Sequence, residues 1–203
     1  MDILNTYLMK NGCEIHKDEA AARLFIENKH IFENACGEQI FITLESFIDP
    51  YDKDDDPDVI ILLITNKQGK PISIFYGTME DGILSSDITC SSELKNGGTL
   101  LRYYALLIAN ELNPEITEIK GAISGGIPPQ LSTDSVDVIT QKTERLYNYH
   151  RKNGAIIEGN IFTYKLLNIK NKIKELFTIV GGKRKRKTKR RRNNKRHTNK
   201  RVY

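Results

Sequence analysis

Apolar positions recur in two periods through the first 182 residues, and each run predicts an element. Over residues 18–35 (DEAAARLFIENKHIFENA), Ala21, Leu24, Phe25, Phe32 and Ala35 stand at mostly helical intervals, with Asp18 as the N-cap. Strand-like runs follow at 40–44 (IFITL), 59–66 (VIILLITN) and 71–79 (PISIFYGTM). KQGK joins the last two, and its Gly69 supplies a turn residue, so they predict a hairpin. VIILLI is apolar without alternation, the pattern of a strand covered on both faces. A further strand, ILSSDITC, follows Gly82.

SSELKNGG then leads into an amphipathic helix over about 99–112. Leu100, Tyr104, Leu107, Ile108 and Leu112 share one face of it, and Pro114 ends it. ITEIKGAIS (116–124) reads as a strand and GGIPPQLSTDSVD (125–137) as an irregular loop. A second helix, about 140–153, closes on Gly154 as its C′ residue. AIIEGNIFTYKLL predicts one or two last strands, with a bulge or turn at Gly159-Asn160. NIKNKIKELFTIV sets Ile169, Ile173, Leu176, Phe177 and Val180 on one side of a short basic helix. Helices and strands in this order predict an α/β or α+β domain.

Charge divides the chain in two. Residues 183–201 (KRKRKTKRRRNNKRHTNKR) hold 13 of the 31 Lys+Arg and no acid. The remaining 18 stand against all 26 Asp+Glu in residues 1–182, a net of −8, so the whole-chain +5 describes neither part. The basic run has no apolar residue before Val202 and cannot offset an ordering entropy of roughly 1–2 kcal/mol per residue, so it is predicted to be disordered when free. Its expected partner is nucleic acid, through Lys183 to Arg201, bound non-specifically by counterion release. A nuclear import signal, an anionic lipid surface or a plain solubilising tail are the other uses of such a run. The domain division is therefore 1–168 for the α/β domain, 169–182 for a short amphipathic helix and linker, and 183–203 for the tail.

Other classes are weakened by what the residues lack. No apolar run approaches the ~18 residues of a membrane span, and the N-terminus has no basic n-region of a signal peptide, so secretion is not expected. Cys13, Cys36 and Cys90 are odd in number and scattered, which predicts reduced thiols. The four histidines show no zinc spacing, so no metal site is expected. Asp52, Asp54 and Asp56 have calcium-loop spacing, but Pro57 takes the glycine position and Leu63 the twelfth, so a solvated acidic loop is predicted.

The candidate chemistry centres on strand–SSELKNGG–helix. A Gly-rich turn feeding a helix N-terminus exposes backbone N–H groups and the positive end of the helix dipole, a site for phosphate. Lys95, Asn96, Gly97, Gly98 and Thr99 are the binding candidates. The turn is neither GxxxxGK[ST] nor GxGxxG.

From residue 87 to 166 the chain resembles the GNAT superfamily of acyl-CoA-dependent N-acyltransferases. DITCSSELKNGGTLLRYYALLIA is similar to its strand, pyrophosphate turn and long helix, and RLYNYHRKNGAIIEGNIFTYKL to its later helix and final strand. The turn departs from [QR]xxGx[GA]. With Gly97 as the second glycine, Lys95 and Ser92 replace the first glycine and the Gln/Arg; with Gly98, Asn96 and Glu93 do. The resemblance implies a mixed, mostly antiparallel central sheet flanked by helices, acetyl-CoA as cofactor and an amine as acceptor. It puts the general acid, a tyrosine in the family, on His150, with Tyr149 one residue earlier as the alternative. Asp87 and Glu93, beside the cofactor strand, are candidates for the base. The chain is also similar to divergent acetyltransferase-like proteins of giant DNA viruses, which carry K/R-rich tails after a Gly-Gly such as Gly181-Gly182. That likeness implies the cytoplasm or nucleus of a host cell, or the virion. The alternative function is a non-enzymatic viral scaffold with a nucleic-acid-binding or import tail.

Overall fold

The computed structural model describes residues 2–36, 58–94, 96–123 and 136–177. Its centre is the predicted hairpin. Strands β2 (Val59–Thr65) and β3 (Pro71–Glu80) pair antiparallel, and Gly69 takes φ +75° in the turn between them. Oδ1 of Asn66 accepts from the N–H groups of Gln68 and Lys70 and holds that turn. Ile60, Leu62 and Ile64 enter one core cluster, while Ile61 and Leu63 enter a second with Ala21, Phe25 and Phe32. The unbroken apolar run is thus buried on both faces, as its pattern predicts.

Two elements outside the predicted set precede the hairpin. Helix α1 (Asp2–Asn11) buries Leu4 and Leu8, one turn apart, and β1 (Glu14–Lys17) extends the sheet antiparallel to β2. The single helix expected over 18–35 is two, α2 (Asp18–Glu27) and α3 (Lys29–Cys36). The chain turns at Asn28, whose backbone N–H donates to the Phe25 carbonyl and whose side-chain amide donates to that of Leu24. Lys17 rather than Asp18 precedes α2, and no side chain caps it.

The strand expected over 83–90 is also two, β4 (Ile83–Ser85) and β5 (Ile88–Ser91). Helix α4 (Gly97–Leu112) follows, then β6 (Glu118–Ala122), α5 (Val136–Lys152), β7 (Ile156–Glu158), β8 (Ile161–Lys165) and α6 (Leu166–Phe177). The sheet runs β1-β2-β3-β4-β6-β8-β7, with β5 beside β3. Among the described strands, only the β4–β6 pair is parallel. A mixed, mostly antiparallel sheet flanked by helices is therefore the architecture.

Helix α4 buries a broader face than its apolar stripe suggests: Leu101, Tyr103, Leu106 and Ala109 are covered along with Leu100 and Tyr104, whereas Leu112 is 65% exposed. Helix α5 starts at Val136, inside the expected loop, and ends with Ala155 N–H bonded to the His150 carbonyl and Gly154 at φ +88°. Gly159, at φ +59°, makes the β7–β8 turn, and Ile169 and Ile173 face inward from α6. Cys90 is in a disulfide, a correction to the expected reduced thiols, while Cys13 is free. No described helix is long and apolar enough to cross a membrane. The strand at 40–44, the acidic run 49–57, residues 124–135, Lys95 and the tail lie outside the described residues.

Candidate active site

One extra residue opens the sheet. β3 pairs with β4 through Met79↔Leu84 and Glu80↔Ile83, and with β5 through Tyr76↔Ile88, so the register slips by one across Ser86 and Asp87. Asp87 N–H donates to the Tyr76 carbonyl, 3.2 Å, at this bulge. Gly77 lies across from it, where a Cβ would stand 2.2 Å from the Ser85 carbonyl oxygen. β4 pairs with β6 through Leu84↔Ile119 and Ser85↔Lys120, and the Ser86 N–H makes the last bond, to the Lys120 carbonyl. Beyond that point β5 stays with β3 and β6 stays with β8, so β5 and β6 part. Gly121 permits the close approach at the fork, since a Cβ there would meet Phe162 Cζ at 2.4 Å and the Ser86 carbonyl oxygen at 2.8 Å.

The register decides which main-chain groups face the gap. Ser92 N–H bonds the Ile72 carbonyl, and hydrogen-bonded pairs alternate along an antiparallel ladder. Ile88 and Cys90 therefore pair toward β3, while the N–H and C=O of Thr89 point away from it into the opening. Helix α4 begins beside this edge. Asn96 precedes it in the left-handed region, φ +60°, and Gly97 and Gly98 let its first turn press on β5. A Cβ at Gly97 would lie 2.3 Å from Ser91 Oγ, and one at Gly98 would lie 3.2 Å from Thr89 Cγ2. The first N–H groups of such a helix have no intrahelical acceptor.

A cavity of about 580 Å³ fills the fork. Asp87 and Thr89 wall it on one side, Arg102 lines it from α4, and Arg145, Tyr149 and His150 from α5. Tyr149 OH hydrogen-bonds Thr99 Oγ1, tying α5 to the first turn of α4. His150 is 4% exposed, stacked on Phe162 with centroids 4.1 Å apart, and its Nδ1 lies 3.0 Å from Tyr164 OH. Burial, with the Arg102 cation adding to it, pushes the imidazole pKa down to about 3, so the ring is neutral near pH 7. Asp87 accepts from Thr78 Oγ1 at 3.2 Å; burial of its carboxyl raises its pKa, and that hydrogen bond opposes the rise. Burial also raises the Tyr164 phenol.

Arg102 is 8% exposed, and its Nε has no hydrogen-bond partner. Its Cζ lies 5.1 Å from the Phe162 ring centroid. Cation–π attraction recovers about 2 kcal/mol when desolvated, while burying an ion costs several kcal/mol. The ring therefore offsets only part of the cost of this charge.

An acetyltransferase assigned to the GNAT family from Desulfovibrio desulfuricans superposes with a TM-score of 0.50 at 10% identity, over 76% of this chain and 99% of that one. The fold is that of the GNAT acetyltransferases. PaiA N-acetyltransferase from Thermoplasma acidophilum, solved with coenzyme A, aligns at a TM-score of 0.48 and 15% identity, over 75% of this chain and 98% of that one. No protein-family model and no curated protein matches the sequence.

Among the candidates from sequence, Asp87, Tyr149 and His150 meet at one cavity, and Asn96, Gly97, Gly98 and Thr99 form the adjoining start of α4. Glu93 lies apart from them: its Oε1 is 2.6 Å from Lys70 Nζ in an exposed ion pair. Sequence reasoning missed Arg102, Arg145 and Phe162. The one available signal was an arginine four residues after Gly98, inside the mostly apolar first three turns of a helix.

Proposed function

We propose that the fork between β5 and β6 binds acetyl-CoA and that the protein transfers the acetyl group to an amine. The observation that carries this reading is the opening itself: an unpaired strand edge at Thr89 facing a cavity, next to the glycine-bearing first turn of α4. That turn has the N–H groups and dipole to hold phosphates. The Thr89 N–H is the donor aimed where a thioester carbonyl would gain negative charge during attack. Asp87, with its raised pKa, is the base that takes the proton from the ammonium, through water. Tyr149 is the acid for the departing thiolate, since His150 is neutral and enclosed by Phe162 and Tyr164. Residues 183–201 add non-specific association with nucleic acid, on the strength of their charge.

His150, neutral and buried where the resemblance puts the acid, favours the competing reading of a non-enzymatic scaffold. Thermal denaturation with acetyl-CoA separates the two. At 100 times its dissociation constant the ligand adds about 2.7 kcal/mol, a plain rise in melting temperature. Gly98→Glu, which sets bulk and negative charge at the first turn, should abolish that rise, and Gly98→Ala should keep it. No rise in the parent at millimolar acetyl-CoA, or equal rises in parent and Gly98→Glu, rejects the cofactor assignment.

A further inference from the structure

Arg102 sits one turn inside α4, and its side chain runs back toward the helix start, as helical side chains do. Its Nη1 comes within 3.6 Å of the place a Cβ would take at Gly98. Among the described residues, the groups that pack around it supply no counter-charge. His150 and Tyr164 are bonded to each other, Tyr149 is engaged with Thr99, and Arg102 makes no ion pair among the described residues. A nine-tenths buried guanidinium with an unpartnered Nε therefore faces a cavity large enough for a small molecule. Arg145 lines the same cavity from α5, and among the described lining residues Asp87 is the one carboxylate. A polycation entering here would meet like charge. A ligand with a carboxylate or phosphate would complete the pair that the described residues leave open.

We propose that this cavity selects an acceptor amine that also carries a carboxylate or phosphate, and that Arg102, with Arg145 beside it, binds that anionic group. The inference rests on the acyl-transfer reading above and names its substrate class. The anion takes no part in bond making: the C–N bond forms at the amine, the C–S bond breaks, Asp87 receives the amine proton and Tyr149 protonates the thiolate.

Thermal denaturation of the full-length protein saturated with CoA tests it, at constant ionic strength made up with chloride. Inorganic phosphate should raise the melting temperature further in the parent and not in Arg102→Met. Arg102→Lys, which keeps the charge without the fork, should show an intermediate rise. Phosphoethanolamine should bind the CoA-loaded parent on the order of tenfold or more tightly than ethanolamine, and that ratio should fall toward one in Arg102→Met. Loss of CoA binding in Arg102→Met would overturn the proposal by giving Arg102 a cofactor phosphate instead. Equal phosphate effects in parent and variant, or none in either, would overturn it while leaving acyl transfer intact. A parent that CoA itself fails to stabilise defeats the acyl-transfer reading, and this inference with it.

Discussion

Lowering the pH from 8 to 5 should destabilise the domain through His150 by an amount that follows from its surroundings. An ordinary imidazole titrates near 6.5, and in the unfolded chain His150 does so too. In the fold, burial and the Arg102 cation hold it down to about 3. Between those values the unfolded state takes up a proton that the native state refuses, so stability is full above pH 6.5 and lost as the pH falls toward 3. At pH 5 the loss is about 2 kcal/mol, and for a body of this size about 2–4 °C of melting temperature accompanies each kcal/mol. Urea denaturation followed by circular dichroism at pH 8 and pH 5 measures it. His150→Gln keeps a neutral polar side chain and should lose about 2 kcal/mol less than the parent over the same interval. Asp87, whose raised pKa acts in the opposite direction, titrates in both proteins and cancels from the comparison. Equal losses in parent and variant, or an NMR titration of the His150 ring near 6.5, would refute the reasoning and reopen His150 as an imidazolium acid.

Three further perturbations test the rest of the site and the tail. Gly121→Ala forces a Cβ to 2.4 Å from Phe162 Cζ and 2.8 Å from a backbone oxygen at the fork, and overpacking of this kind should cost about 1–3 kcal/mol in urea denaturation; an unchanged midpoint would mean that the fork is not tightly packed. Tyr149→Phe removes the hydroxyl bonded to Thr99 and should lower turnover by about 10²–10⁴ with little change in KM for the acyl donor, whereas an unaltered rate would leave Tyr149 a packing residue. Truncation after residue 182 should leave the melting temperature unchanged and abolish binding to duplex DNA. In the intact chain, six phosphate contacts would give a slope of about −5 for log K against log[salt]. The net −8 of residues 1–182 should make the isolated tail bind more tightly than the whole protein, and salt-independent binding would count against an electrostatic arm.

Local features were legible in the chain because local residues cause them. The β2–β3 hairpin, the two-faced burial of Ile60 to Ile64, the end of α5 at Gly154 and the β7–β8 turn at Gly159 each depend on a few neighbouring residues and a period. The Gly97-Gly98 turn and the charge of residues 183–201 were equally open to reading. Amphipathic spacing could also have found α1, since Leu4 and Leu8 mark it. The break at Asn28 was not legible, because a side chain bonding to its own backbone ends α2 without proline or glycine.

The site itself belongs to the tertiary structure. ILSSDITC reads as one strand, and only its pairing with two different neighbours places an extra residue at Ser86-Asp87 and parts β5 from β6. Tyr149 meets Thr99 across fifty residues, and His150 loses its proton to a wall built by Phe162 and Arg102. Neither a contact nor a desolvation cost is written in a residue's near neighbours. Both depend on what the sheet and helices bring alongside, and so the same arginine that looks like an ordinary helical residue in the chain becomes a buried charge with no ion pair among the described residues.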